Sequence, residues 1–272
     1  MKEQGPIGIF DSGLGGLVMT KAFRAALPEH DFLYLGDTLH VPYGPRSAEA
    51  ILQFTTQAVD YLFDQGCPLV IIACNTASAN ALRRIQQEYL PLHYPDKRAL
   101  GVIVPTIEAT IGTGHTRIGL IGTAFTVQSH TYDEELRKIN PAIRLVAKAT
   151  PLLVPLAEND GLHYARPILE DYLQPLLERG IDSLILGCTH YPLFRPTLEQ
   201  ILPAGVDIIA QNEVVPPKLL DYLRRHPEIE ARISRGGNLN AMLTDVTPTY
   251  DRIGASLLGE EIYFEKVVLE DR

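Results

Sequence analysis

Tryptophan is absent from the 272 residues, and cysteine and methionine occur three times each. Three widely spaced thiols, with no C-x₂-C pair, exclude a disulfide-stapled secreted scaffold and a compact zinc-binding motif. No apolar run approaches the roughly 20 residues of a membrane helix, and the N-terminus lacks the apolar core of a secretory signal. The cytoplasm, where thiols stay reduced, is the expected compartment. Basic residues are the minority, 24 against 33 acidic, for a formal charge of −9. Such a balance argues against nucleic acid or an anionic membrane as partner. The one glycine-rich stretch, over 11–17, lacks the G-x-G-x-x-G order, so no dinucleotide fingerprint is present.

What the chain does have is apolar material, 46% of residues, enough for two cores in a chain beyond the size at which one core usually stops growing. Short Val/Ile/Leu-rich runs at 7–10, 32–35, 69–73, 100–104, 118–121, 184–186 and 206–209 predict strands. Helix-spaced apolar residues fill 48–63, 77–89, 127–139 and 164–177, with Pro167 and Pro175 starting or kinking the last. The alternation predicts βαβ units on largely parallel sheets, an α/β fold. Ile7-Gly8-Ile9 and Ile118-Gly119-Leu120 open two similar halves, which points to an internal duplication. The expected division is a discontinuous first domain, 1–98 plus 211–272, and a second domain, 99–210, with the polar turn 94–98 as linker.

Each half carries an apolar run that ends in a cysteine: Ala73-Cys74-Asn75-Thr76 and Gly187-Cys188-Thr189-His190. Ligands of open α/β sheets bind beyond the carboxyl ends of strands, so the two thiols are candidates for opposite walls of one cleft. A free thiol near pKa 8.5 is only a few per cent thiolate at neutral pH and needs a neighbouring base. His190 and Asp11 are the acid–base candidates. Asn75, Thr76 and Thr189 add amide and hydroxyl groups suited to the carboxylate and ammonium of a small zwitterion. Plainer readings stand beside these: buried cysteines followed by helix caps, Asp11 or Ser12 as a cap, or Cys74, Cys188 and His190 as ligands of a metal. Cys67, beside Pro68, has no polar company and reads as a structural thiol.

In their order along the chain, Gly8 to Leu17, Gly36-Asp37 with Pro42-Tyr43-Gly44, Cys74-Asn75-Thr76-Ala77, Gly122-Thr123 with Thr126, the Pro151 to Glu158 stretch and Gly187 to Leu193 resemble the glutamate racemases. The resemblance covers nearly the whole chain. It implies two pseudo-symmetric open α/β domains with the active site in the cleft between them, and cofactor-independent racemisation without a metal. By the same resemblance, Cys74 takes the α-proton of D-glutamate and Cys188 protonates the opposite face. Asp11 assists Cys74, while His190 and Glu158 assist Cys188. Asp11, Ser12, Pro42, Tyr43, Gly44, Asn75, Thr76, Thr123, Thr189 and His190 are expected to hold the substrate, D- or L-glutamate, whose D-isomer feeds peptidoglycan synthesis.

Two places depart from the family pattern. An Asp-Ser-Gly-like turn is replaced by Ala210-Gln211-Asn212, and Val246 to Tyr250 follows Thr244-Asp245. Both are expected to lie outside the catalytic segments and to bear on oligomer contacts or on regulation; exposed apolar faces of such domains often pair symmetrically, which leaves room for a homodimer without fixing the oligomeric state. Only six residues precede Ile7, which predicts no activation by a cell-wall precursor. The rivals are a racemase of aspartate or a hydantoin, and a non-catalytic binder of a small zwitterion.

Overall fold

In a computed structural model, which describes residues 4–270, ten strands build two sheets. They are β1 (Ile7–Asp11), β2 (Phe32–Gly36), β3 (Leu69–Ile72), β4 (Arg98–Gly101), β5 (Arg117–Gly122), β6 (Arg144–Ala149), β7 (Ser183–Gly187), β8 (Asp207–Ala210), β9 (Leu239–Leu243) and β10 (Glu265–Lys266). The first sheet runs β10-β9-β2-β1-β3-β4 and the second β6-β5-β7-β8, with every pairing parallel. The expectation about the segment before Ile7 rests partly on residues 1–3, which lie outside the described range. Among the described residues no helix is long and apolar enough to cross a membrane.

The halves repeat one topology, since β2-β1-β3-β4 and β6-β5-β7-β8 are the same order. Backbone contacts repeat too: Asp37 N–H donates to the carbonyl that ends β1 (3.0 Å), and Thr150 N–H to the carbonyl that ends β5 (2.9 Å). In this order the chain switches sides between β1 and β3, and again between β5 and β7, which opens a crevice at the strand carboxyl ends. Cys74 and Cys188 follow β3 and β7 at those two crevices.

The central strands are apolar throughout because both faces are covered. Ile7, Ile9, Leu69 and Ile71 pack on one face of the first sheet, and Phe10, Val70 and Ile72 on the other. In the second sheet Ile121, Leu184 and Leu186 face one core, and Ile118, Leu120 and Ile185 the other. Each such side chain, fully buried, contributes about 1.5–3 kcal/mol. Helix Gln211–Arg225 follows β8 yet buries Val215, Leu219 and Leu223 in the first sheet's core. It ties the two halves together.

Several elements differ from the sequence reading. The run at 100–104 is not one strand: β4 pairs with β3 through Gly101, and a helix, Ile103–Gly112, then buries Ile103, Thr106, Ile107 and Thr110 at helical spacing. Helix 127–139 is two pieces, Ala124–Gln128 and Thr131–Ile139, broken where His130 adopts a left-handed backbone (φ 57°). The helix over 77–89 starts earlier, at Asn75, and passes through a π-helical turn at Ile85–Tyr89.

Candidate active site

A cavity of about 370 Å³ opens between the carboxyl ends of the two sheets. That volume is at the small end of the roughly 300–1,000 Å³ typical of ligand sites. Ser12, Pro42, Tyr43, Gly44, Cys74, Asn75, Thr76, Thr123, Glu158, Cys188, Thr189 and His190 all line it. Of the residues expected from the sequence, Asp11 alone is not in the wall. A larger cavity, about 520 Å³, has no thiol or imidazole in its lining and offers no comparable chemistry.

Cys74 is buried, with Sγ 3.3 Å from the Ser12 hydroxyl. Burial pushes its thiol up to about 12, and the nearby Asp11 carboxylate adds to the effect. Asp11 sits behind Ser12, 1% exposed, and accepts from the Gly13 N–H (3.1 Å) and the Thr189 hydroxyl (3.2 Å). Burial raises its carboxyl above the usual range, and His190 only partly opposes this. Asp11 also accepts from the Gly16 N–H, so its carboxylate meets the first residue of helix Gly16–Ala26.

Across the cavity, Cys188 Sγ lies 3.8 Å from His190 Nδ1, and His190 Nε2 lies 3.1 Å from Glu158 Oε1. The second contact is an ion pair. Burial disfavours the imidazolium, but Cys188 and Glu158 outweigh it and push His190 up to about 10. One side of the cavity thus holds a thiol beside a carboxylate, the other a thiol beside a cationic imidazole.

Between the thiols lie neutral donors. Thr123 caps helix Ala124–Gln128, accepting from the Thr126 N–H (3.3 Å), and its hydroxyl also meets the Thr76 hydroxyl at 2.9 Å. The loop carrying Pro42 to Gly44 is fixed by Asp37, which accepts from the hydroxyls of Tyr43 (2.6 Å) and Thr244 (2.8 Å) and lies 2.9 Å from His40 Nδ1. Gly44 carbonyl accepts from the Phe125 N–H (3.2 Å), so this loop bridges the halves. Gly15 sits so close to the opposite half that a Cβ there would come within 2.5 Å of His190 and Thr189.

Sequence reasoning missed Thr150, whose hydroxyl meets that of Tyr191 (2.6 Å) in the cavity wall. Its signal was the internal repeat, since Thr150 follows β6 as Asp37 follows β2. The larger correction concerns Ala210-Gln211-Asn212, expected to lie away from the catalytic segments. Gln211 is 1% exposed and its carboxamide pairs with that of Asn75. Helix Gln211–Arg225 begins at the end of β8, and that brings its first side chain against Asn75, which lines the cavity. Among the described residues no group of three or more His, Cys, Asp or Glu side chains could hold a metal ion.

Residues 16–215 match the Asp/Glu/Hydantoin racemase family. A glutamate racemase of Sulfurihydrogenibium is 36% identical over 270 residues, 98% of each chain. Among solved structures, glutamate racemase from Bacillus anthracis superposes with a TM-score of 0.88 at 31% identity, over 97% of this chain and 98% of that one. Glutamate racemase from Francisella tularensis, solved with D-glutamate, has a TM-score of 0.88 at 29% identity over 99% of both chains.

Proposed function

The chain belongs to the Asp/Glu/Hydantoin racemase family, and from that membership we propose that it interconverts L- and D-glutamate by two-thiol proton transfer. The observation that carries the reading is the pair of thiols at matching strand ends of one cavity, each beside its own acid–base partner. In the D-to-L direction, Asp11 takes the Cys74 thiol proton and the resulting thiolate removes the α-proton, so the C–H bond breaks as an S–H bond forms. Cys188 delivers its own proton to the opposite face, and its thiolate regains a proton from the His190 imidazolium, which Glu158 holds in place. From L-glutamate the Cys188 thiolate abstracts and the Cys74 thiol donates. The high Cys74 value suits that donor role directly.

No cofactor spreads the carbanion's charge in this scheme. Stabilisation comes instead from donors fixed in a closed site and from protonation concerted with abstraction. Ser12, Asn75, Thr76, Thr123 and Thr189, with the Tyr43-Gly44 segment, are the groups we assign to the substrate's charged ends. The D-glutamate formed would feed peptidoglycan synthesis in the cytoplasm.

The test is to incubate the purified protein with D-glutamate in D₂O, without pyridoxal or added metal, and to follow loss of circular dichroism and α-deuteration. Racemisation that is abolished by Cys74→Ser and by Cys188→Ser separately supports the proposal. Turnover of D-aspartate but not D-glutamate overturns the substrate, and turnover that survives either substitution overturns the mechanism.

A further inference from the structure

Asn75, Gln211 and Tyr132 form a buried polar network, each 2% exposed or less. Asn75 Nδ2 donates to Gln211 Oε1 (2.7 Å), and Gln211 Nε2 donates back to Asn75 Oδ1 (2.9 Å) and to the Tyr132 hydroxyl (3.0 Å). The Tyr132 hydroxyl donates in turn to Asn75 Oδ1 (2.8 Å). A carboxamide has two donor hydrogens and an acceptor oxygen with two lone pairs. The Tyr132 hydrogen and both Asn75 Oδ1 lone pairs are engaged, and Gln211 Nε2 is shared between Asn75 Oδ1 and the Tyr132 hydroxyl. One Asn75 Nδ2 hydrogen is the network's unused donor, on a residue that lines the cavity.

With the Gln211 carboxamide oriented as it stands, the arrangement admits one orientation of Asn75. Turning its amide over would set NH₂ against NH₂ at Gln211 and leave buried donors unpaired, which is costly in a low-dielectric interior. The partners also span the two halves: Asn75 follows Cys74 beyond β3, Tyr132 lies on helix Thr131–Ile139 of the second half, and Gln211 stands where the chain leaves β8 to return to the first. The network therefore fixes both the donor beside Cys74 and the attachment of that segment to the second half.

We propose that Gln211 is a positioning residue for glutamate, holding the Asn75 carboxamide so that its free N–H faces the bound carboxylate. This rests on the racemase reading above. Gln211 itself touches Asn75 and Tyr132 and acts on substrate only through them. A contact made equally in ground and transition states changes KM rather than kcat when lost.

The experiment compares wild type, Gln211→Met, Gln211→Glu and Asn75→Ala in steady-state racemisation of both enantiomers, with thermal melts of each. Gln211→Met keeps the side-chain length and removes the hydrogen bonds; KM should rise about tenfold with kcat little changed, the effect of about one lost charge-assisted hydrogen bond. In the Asn75→Ala background the same substitution should add less than about twofold, because residues that act through one another are non-additive. Gln211→Glu sets a carboxylate against Asn75 Oδ1 and should raise KM at about pH 8; the ratio to wild type should fall toward about pH 5.5 as the carboxyl protonates and donates again. A merely structural role moves the melt but not that ratio. An active wild type with KM unchanged in Gln211→Met or Gln211→Glu, or with additive effects in the double variant, overturns this inference alone. A wild type inert toward both enantiomers overturns the racemase reading and this inference with it.

Discussion

Cys67 and Cys74 show how one physical effect serves two ends. Burial pushes both thiols up to about 12, but Cys67 packs under Gly8 in the first sheet's core, whereas Cys74 meets the Ser12 hydroxyl at the cavity, in the field of the Asp11 carboxylate behind it. Cys67→Ala should therefore cost about 1 kcal/mol of stability and leave turnover within about twofold, as expected for a site remote from the chemistry; a loss comparable to that in Cys74→Ser contradicts the assignment. His190 gives a pH prediction. Its value rises from the ordinary 6.5 to about 10, so the folded state binds that proton more tightly than the unfolded chain does. The stabilisation is complete below about pH 6.5 and is lost as pH rises through about 10. Cys74, raised from 9.0 to about 12, shifts stability in the same sense above about pH 9. Urea midpoints should fall between about pH 7 and 10 in wild type and fall less steeply in His190→Gln; parallel profiles contradict the His190 assignment.

At the scale of elements, the site depends on how closely strand ends and loops approach. Gly15→Ala puts a methyl group where His190 and Thr189 already stand, 2.5 Å away. The start of helix Gly16–Ala26 must then move away from β7, and a shift of about 1 Å in catalytic groups costs about 100-fold in rate. Turnover should fall on that scale while far-ultraviolet circular dichroism is unchanged; full activity shows that the halves need not meet so closely. Asp37→Asn removes the charge that gathers Tyr43, Thr244 and His40. It should cost about 1–3 kcal/mol in denaturant unfolding and raise KM through the loosened Tyr43-Gly44 wall.

These elements also mark where the sequence was legible. Cys74 and Cys188 follow fully buried strands whose unbroken apolar runs are visible from composition alone. β6 was missed because it is an edge strand, half-exposed and broken by Arg144 and Lys148. β9 reads Leu-Asn-Ala-Met-Leu, a pattern no periodicity singles out, and it pairs with β2 over a separation that only the fold closes. The end of β4 was hidden because β-branched residues run on into the following helix. Gln211 was misjudged for a related reason: its partner Asn75 is 136 positions away, and nothing local marks a glutamine as belonging to a buried network.

For the molecule as a whole, the repeated strand order places two equivalent crevices face to face. A cavity bounded by both sheets invites closure on the ligand, which would exclude water and strengthen each polar contact. Glutamate should slow amide exchange in Asn75–Asn80 and Ala124–Gln128, whose first turns flank the cavity, and small-angle scattering should report a more compact particle. Identical exchange and scattering with and without glutamate contradict closure. The central claim is that two thiols act on opposite faces of one α-carbon. Its most direct test is the early time course of D-glutamate conversion in D₂O, with the α-position of each enantiomer read separately by mass spectrometry after chiral separation. Two thiols predict L-glutamate that carries α-deuterium from the first turnover while the remaining D-glutamate stays protiated. L-glutamate that retains the original proton requires a single base and contradicts the account.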